Sequence, residues 1–330
     1  MGHVPVMLPE VLEALQPADG EIYADGTFGG GGYALRVLDS ADCHLYGIDR
    51  DLDAIERAEK LAQTQSRLTP LLGRFGDLDA LLLNAGVEHV HGIMLDIGVS
   101  SFQIDQAERG FSFMREGPLD MRMGQTGPSA ADVVNYMPEA DLASVIRQLG
   151  EERQARRIAY IICQRRAEQK FEHTLDLAET VERAVGGRRG KKTHPATLTF
   201  QAIRMYVNDE LGELARGLAA AERMLLPGGR LVVVTFHSLE DRLVKRFFKE
   251  RSGAMGGGSR YMPERAKGPD ATFELISRKA IEPSDEEVST NPRARSARLR
   301  GGIRTDAPVW ASDVETGMNV PDLSALEVVS

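Results

Sequence analysis

The sequence predicts an α/β protein in which a parallel sheet, covered by helices on both faces, is interrupted by an all-helical block. Three observations predict it. Short apolar segments that close on an acidic residue alternate with helical patterns through the first hundred residues. The alternation stops between residues 105 and 195, where only helical periodicity remains. It resumes after Pro227-Gly228-Gly229 with the run 231–236, apolar or β-branched throughout, as a strand buried on both faces should be.

Taken in order, residues 21–24 form a first strand closing at Asp25, followed by a glycine cluster and a helix near 33–38. Residues 44–48 form a second strand closing at Asp49, and 51–64 a helix with Leu52, Ile55 and Leu61 on its apolar stripe. Residues 69–72 are a third strand, 77–83 a helix, and 91–97 a fourth strand near Asp96. The stretch 105–128, rich in Gly, Pro, Met and charge, reads as an irregular loop. Ser129 can cap a helix to Tyr136. Pro138 opens another, with Leu142, Val145, Ile146 and Leu149 on one face and Gly150 as its stop. A helical pattern over 151–169 and a helix capped by Thr174 and ended by Gly186-Gly187 complete the block. Residues 197–226 read as one long helix, 239–249 as the helix after the fifth strand, and 272–276 and 297–303 as closing strands. The glycine-rich stretch 252–270 is expected to be mobile. The expected division is a discontinuous Rossmann-like sheet domain over 1–104 and 196–304, an inserted helical domain over 105–195, and a flexible acidic tail over 305–330.

A chain of 330 residues, 42% hydrophobic and 27% charged, is globular and large enough for a substantial core. Its longest apolar run is too short to cross a bilayer, and residues 1–10 carry no pattern of a secretory leader. Cys43 and Cys163, the only cysteines, make neither a disulfide framework nor a zinc site, so a reducing cytoplasm is expected and no metal is. The net charge of −9 is uneven: −10 over residues 1–100, +4 over 151–200, +6 over 241–304 and −5 beyond. A polyanion feels the local field, so the two basic blocks are candidate nucleic-acid surfaces. They contain Arg153, Arg156, Arg157, Arg165 and Arg166 with Arg188, Arg189, Lys191 and Lys192. Arg242, Lys245, Arg246 and Lys249 repeat at helical spacing, and Arg293, Arg295 and Arg298 form a third cluster.

The loop Asp25-Gly26-Thr27-Phe28-Gly29-Gly30-Gly31-Gly32 lies between the first strand and first helix, where glycines let the backbone turn sharply and approach a ligand. Two cofactor classes use such a loop. Gly29-x-Gly31-x-x-Ala34 with Asp49 fits a dinucleotide fingerprint. The same residues fit an adenosylmethionine loop, in which Asp49 accepts the ribose hydroxyls. Leu226-Pro-Gly-Gly-Arg before the fifth strand and the acid ending the fourth favour the second reading.

Longer motifs are more specific. Asp96-Ile-Gly-Val-Ser-Ser-Phe-Gln103, Ala107-Glu-Arg-Gly-Phe-Ser-Phe113 and Gly117-Pro-Leu-Asp-Met-Arg-Met123 resemble the bacterial 16S ribosomal RNA (cytosine-N4)-methyltransferase H family. So do His3-Val-Pro-Val6, Tyr46-Gly-Ile-Asp-Arg-Asp51, Gly150-Glu-Glu-Arg153, His194-Pro-Ala-Thr197, Thr199-Phe-Gln-Ala202, Phe236-His-Ser-Leu-Glu-Asp-Arg242 and Asn291-Pro-Arg-Ala-Arg-Ser296. The resemblance runs in order from residue 3 to about 300. It implies a class I methyltransferase sheet with an inserted helical domain. It further implies S-adenosylmethionine as methyl donor and a cytidine of the 16S rRNA decoding region, within the small ribosomal subunit, as acceptor. By motif, Gly31, Gly32 and Tyr33 contact the donor, Asp49 holds its ribose, Phe75 lies near the adenine, and Asp96 and Gln103 lie near its amino-acid and sulfonium end. The family loop often reads Gly-Arg-Gly-Gly-His; here Gly30 and Tyr33 replace the Arg and His, a change that backbone contacts survive.

Methyl transfer needs the nucleophile aligned with and close to the methyl carbon. An exocyclic amine needs an acceptor for its N–H, because its lone pair is delocalised into the ring. Asp96 is the candidate. No Pro-Pro-aromatic follows it, so a stacking partner must come from elsewhere, and Phe111 and Phe113 are candidates for it, the alternative being that they fill a core. His237 and Ser238 follow the fifth strand and are candidates for the base edge, the alternative being a helix capped by Ser238. Methylation at ring carbon 5 would need a cysteine nucleophile near Asp96, and neither cysteine lies there. Two other readings stand beside this one: a nicotinamide dehydrogenase resting on the glycine fingerprint, and a ribosome-assembly factor without turnover, against which the presence of Asp49 and Asp96 argues. Monomer and homodimer are both open.

Overall fold

The computed structural model describes residues 5–124, 126–188, 190, 193–254, 269–323 and 326. The candidate phosphate contacts Arg189, Lys191 and Lys192, the start of the first motif at His3 and most of the glycine-rich stretch, residues 255–268, lie outside them. The chain divides into two compact units, one of residues 1–98 with 211–316, the other of 99–210 with 317–330.

In the first unit a helix, α1 (Leu8–Leu15), precedes β1 (Ile22–Asp25), α2 (Gly32–Ser40), β2 (His44–Asp49), α3 (Leu52–Ala62), β3 (Leu68–Leu72), α4 (Leu78–Asn84) and β4 (Val90–Asp96). The chain then passes through the helices of the second unit: α5 (Ser101–Asp105), α6 (Ala130–Tyr136), α7 (Glu139–Leu149), α8 (Ala155–Glu168), α9 (Thr174–Ala184) and α10 (Thr197–Val207). It continues with α11 (Glu210–Met224), β5 (Leu225–Thr235), α12 (Ser238–Arg251), β6 (Phe273–Leu275), α13 (Asp285–Thr290) and β7 (Arg298–Arg304). Among the described residues the strands make one seven-stranded sheet in the order β3-β2-β1-β4-β5-β7-β6. The pairs from β3 through β5 are parallel, and β7 is antiparallel to both β5 and β6. This is the α/β, Rossmann-like arrangement of a class I methyltransferase sheet, and its order reverses between β1 and β4. At such a reversal, the carboxyl ends of the strands are where sheets of this kind bind their ligands.

The strands that flank the reversal are apolar on both faces. β4 buries Val90, Ile93, Met94 and Leu95, and β5 buries Leu231, Val232, Val233 and Val234. Each such side chain contributes roughly 1.5–3 kcal/mol relative to exposure. One core joins Val11 and Leu15 of α1, Tyr33, Val37 and Leu38 of α2, and Leu45, Met94, Val232 and Leu299 of the sheet. The N-terminal helix is not among the elements the sequence pattern predicts; Pro9 in its first turn and the buried spacing Val11, Ala14, Leu15 are what make it.

Two elements differ from expectation. Residues 197–226 are two helices, because Asn208 and Asp209 break the turn and Asp209 has a φ of +49°. Asn208 is committed elsewhere: its side-chain amide donates to the Met121 carbonyl at 2.7 Å and its oxygen accepts from the Met123 N–H at 2.8 Å, pinning a loop within the second unit. The unit boundary therefore falls after Glu210, where the sequence pattern puts it at 195/196, and α10 packs with α7 and α6. The fifth strand begins at Leu225, six residues early. Pro227-Gly228-Gly229 sits in it as an irregularity, with Gly228 at φ +85°, and the register to β4 shifts between Val90 and Gly92.

In the second unit, Ser129 caps α6 in a reciprocal capping box with Asp132, and Val133 and Val134 are buried below it. α7 buries Leu142, Val145, Ile146 and Leu149, and α8 buries Ala155, Ile158, Ala159 and Ile162. The acidic segment after Thr305 is shared between the units. Trp310 lies on the buried Arg251 guanidinium, 4.3 Å from its ring centroid, within the first. Asn319 receives and donates hydrogen bonds with the Gln148 side chain of α7 in the second.

Candidate active site

The sheet's carboxyl edge carries the acids that end β1, β2 and β4: Asp25, Asp49 and Asp96. Asp25 is buried; its Oδ1 accepts the Thr27 N–H at 3.0 Å, while Oδ2 has no hydrogen-bond partner. Burial pushes its carboxyl up to about 7, with the Thr27 amide opposing and the Asp49 charge adding. Asp49 accepts the Gly29 N–H on Oδ2 and the Asp51 N–H on Oδ1, both at 2.8 Å. These bonds fix the carboxylate at the loop while each oxygen keeps a second lone pair. Burial raises the Asp49 carboxyl and the two amides oppose the rise.

The loop follows from its residues. Phe28 is buried and lies against Gly31 and Gly47. Gly31 has a φ of +73°, and a Cβ there would stand 2.6 Å from Phe28 Cζ. Only glycine meets both conditions. α2 starts directly after it without a side-chain cap, so backbone N–H groups at Gly32 and Tyr33 face outward as at any uncapped helix start. The Tyr33 side chain turns away into the core, where its hydroxyl donates to the Val6 carbonyl. Phe75 follows β3 and packs against Gly26 and Gly217.

Asp96 completes the edge. Its N–H donates to Thr27 Oγ1 at 2.6 Å, tying β4 to the glycine loop, and its Oδ1 is buried with no partner. Burial, and then the charges of Asp25 and Glu240, hold this carboxyl well above the ordinary range. Glu240 is fully buried in the first turn of α12. Its Oε2 accepts the Phe236 N–H at 2.8 Å and the His237 N–H at 3.2 Å. Its Oε1 stands 2.7 Å from His237 Nε2, although neither atom has the orientation of a hydrogen bond. His237, not Ser238, is the N-cap of α12, and Ser238 is the first helical residue.

Sequence reasoning thus brings Gly31, Gly32, Asp49, Phe75, Asp96, His237 and Ser238 to one unit and to the ends of its five parallel strands. It leaves out Asp25 and Glu240 as site residues. Both carry a signal: Asp25 ends an apolar strand, and Glu240 stands three residues after His237 in capping-box spacing. What the sequence does not show is that each keeps a buried oxygen unused.

The remaining candidates belong mostly to the second unit. Gln103 is buried and forms a capping box with Ser100 on α5. Phe113 packs on His194 at 4.7 Å and edge-on to Phe200 at 4.8 Å, so it serves that unit's core. Phe111 lies under the Arg109 guanidinium, 5.8 Å from its centroid. Arg153, Arg156 and Arg157 are exposed; Arg165 pairs with Asp176 at 2.8 Å, and Arg166 donates to the Val134 carbonyl. In the first unit, Arg242, Lys245 and Lys249 of α12 are exposed, whereas Arg246 donates to the Glu315 carbonyl. Arg298 pairs with Glu282 at 3.3 Å, and Arg293 and Arg295 are exposed. Cys43 is buried and Cys163 half-buried, and burial raises both thiols, which makes them poor nucleophiles.

A Rossmann-like sheet with a glycine loop after β1, a ribose-type acid after β2 and an acid after β4 defines an S-adenosylmethionine-dependent methyltransferase. Comparison with known proteins agrees: a model of the MraW methylase family matches residues 1–303, and the chain belongs to that family. It is similar to a protein named ribosomal RNA small subunit methyltransferase H from Hyphomonas neptunium, 67% identical, covering 99% of this chain and 95% of the relative. Proteins of the same name from Maricaulis maris and Caulobacter vibrioides are 55% and 57% identical, covering 98% and 93% of this chain and 98% and 97% of theirs.

Proposed function

We propose that the chain methylates the exocyclic N4 of a cytidine in the decoding region of 16S rRNA, on the small ribosomal subunit in the cytoplasm. The names of its relatives support the RNA substrate. The observation that carries the chemistry is the pair of unused carboxylate oxygens, Asp25 Oδ2 and Asp96 Oδ1, at the reversal of the sheet. Buried carboxyls without partners are costly unless a ligand completes them. A ligand with a cationic sulfur and an ammonium group suits them.

When bound, S-adenosylmethionine supplies a methyl group on a positively charged sulfur. The N–H groups of Gly32 and Tyr33 at the start of α2 suit its carboxylate, beside Gly31, whose own N–H donates to the Phe28 carbonyl, and the remaining lone pairs of Asp49 suit its ribose hydroxyls. Phe75 flanks the adenine. A cation beside Asp96 and Asp25 draws both carboxyls back to the ionised form, so Asp96 becomes an acceptor once the pocket is filled. Asp96 then accepts an N–H of the cytosine amine, localises its lone pair, and takes the proton released as the new N–C bond forms. His237 and Ser238 stand at the neighbouring strand end to meet the base edge. The exposed arginines of the helical unit, and separately Arg242 and Lys245 of α12, are assigned to phosphates. No described helix is long and apolar enough to cross a membrane.

Calorimetry tests the donor site. S-adenosylmethionine should bind and NAD should not, and Asp49→Ala should weaken binding at least tenfold while leaving the unfolding temperature within a few degrees. Binding of NAD in preference would overturn the assignment.

A further inference from the structure

Helix α8 and the turn before it sort their arginines into two sets. Arg165 and Arg166 are committed, to Asp176 and to the Val134 carbonyl. Arg153, Arg156 and Arg157 are exposed, and among the described residues none has an ion-pair or hydrogen-bond partner. The nearby Glu152 carboxylate is turned to the helix start, where it accepts the Gln154 N–H at 2.8 Å. Tyr160 stands one turn beyond Arg156 and Arg157 on the same outward stripe and is 50% exposed; Gln164 continues the stripe. Residues three and four apart on a helix are lateral neighbours, so the ring and the guanidinium groups share one strip of surface.

We infer that this strip is a platform for an unpaired stretch of the RNA substrate, with Tyr160 stacking one base and Arg153, Arg156 and Arg157 holding the phosphates on either side. Every base has a face that stacks on an aromatic ring, and uncommitted arginines suit a polyanion. A protein partner fits poorly. Protein interfaces centre on a dry apolar patch, and Tyr160 is the only exposed large apolar side chain among the described residues of α8, set among charges. The inference rests on the RNA reading above.

Steady-state methylation of small subunits lacking the mark tests it, alongside a photo-crosslinking amino acid placed at position 160. Tyr160→Ala should raise KM for the subunit about tenfold, with kcat, donor affinity and unfolding temperature unchanged. Tyr160→Phe should stay within about twofold of the parent. Arg156→Ala with Arg157→Ala should flatten the dependence of log KM on log salt by roughly 1.4. The crosslink should fall on rRNA. An unchanged KM in Tyr160→Ala, an equal loss in Tyr160→Phe, or a crosslink to a ribosomal protein or a second copy of the chain would overturn the platform. If the parent protein methylates no RNA, the functional reading fails, and an rRNA crosslink at position 160 would still report the platform.

Discussion

Asp25 shows how one carboxyl couples folding to ligand. Its folded-state value, about 7, lies above the ordinary 3.8, so the native chain holds a proton that the unfolded chain has released. The stability this group contributes is complete below about pH 4 and is lost as pH rises through 7. Without donor, Asp25→Asn should therefore be more stable than the parent at pH 8, by at most about 4 kcal/mol, and by less than about half of that at pH 5. Urea midpoints at the two pH values check this, and parallel curves at both would refute it. The same change should weaken donor binding, since it removes a charge meant for a cation. Asp96→Ala should leave the fold intact and abolish transfer, read by label incorporation at saturating donor. That Asp25, Asp49 and Asp96 end their strands is legible, because an apolar run closing on an acid stands out. The unused oxygens of Asp25 and Glu240 are not, since they depend on where amides from other segments point.

The glycine loop and α2 act as one element, and their glycines are not equivalent. Gly29 has a φ of +54°, and a Cβ added there would meet nothing closer than 3.8 Å, so Gly29→Ala should cost only the backbone strain, about 1–2 kcal/mol. Gly31→Ala adds a collision with the buried Phe28 ring and should cost clearly more, a ranking that thermal unfolding reads directly. Other elements explain what sequence patterns miss. The helical periodicity of 197–226 is unbroken, and the break at Asn208 arises from partners at Met121 and Met123 that lie far away in the chain. Pro227-Gly228-Gly229 reads as a helix stop, yet the helix has already ended at Met224, and pairing of Leu225 with Val90 places the three residues inside the strand. Periodicity is local, whereas both outcomes are set by contacts distant in sequence.

Across the molecule, the acidic C-terminal segment shows where composition misleads. A stretch with five acids and no basic residue after Arg304 suggests a loose tail. In the first unit Trp310 covers Arg251 and its indole N–H donates to the Asp270 carbonyl at 2.9 Å. Below it, Arg251 meets Glu222 at 3.0 Å, and Thr272 donates to the same carboxylate. Trp310→Ala should cost about 1–2 kcal/mol, whereas Arg251→Ala, which removes the ion-pair partner of the buried Glu222, should cost about 3–5 kcal/mol. The reverse order in denaturant unfolding would show the tail to be the main anchor. The parallel sheet and the inserted helices are legible because alternation and its interruption span many residues, whereas the strand order is not, since it depends on which strands pair. The central claim, transfer of a methyl group to a cytosine amine beside Asp96, is put at risk most directly by incubating the purified protein with labelled S-adenosylmethionine and small subunits that lack the mark, then digesting the RNA for nucleoside mass spectrometry. The label should appear as N4-methylcytidine in 16S rRNA with the parent and vanish with Asp96→Ala. A methyl group on carbon 5, or full transfer by Asp96→Ala, would contradict it.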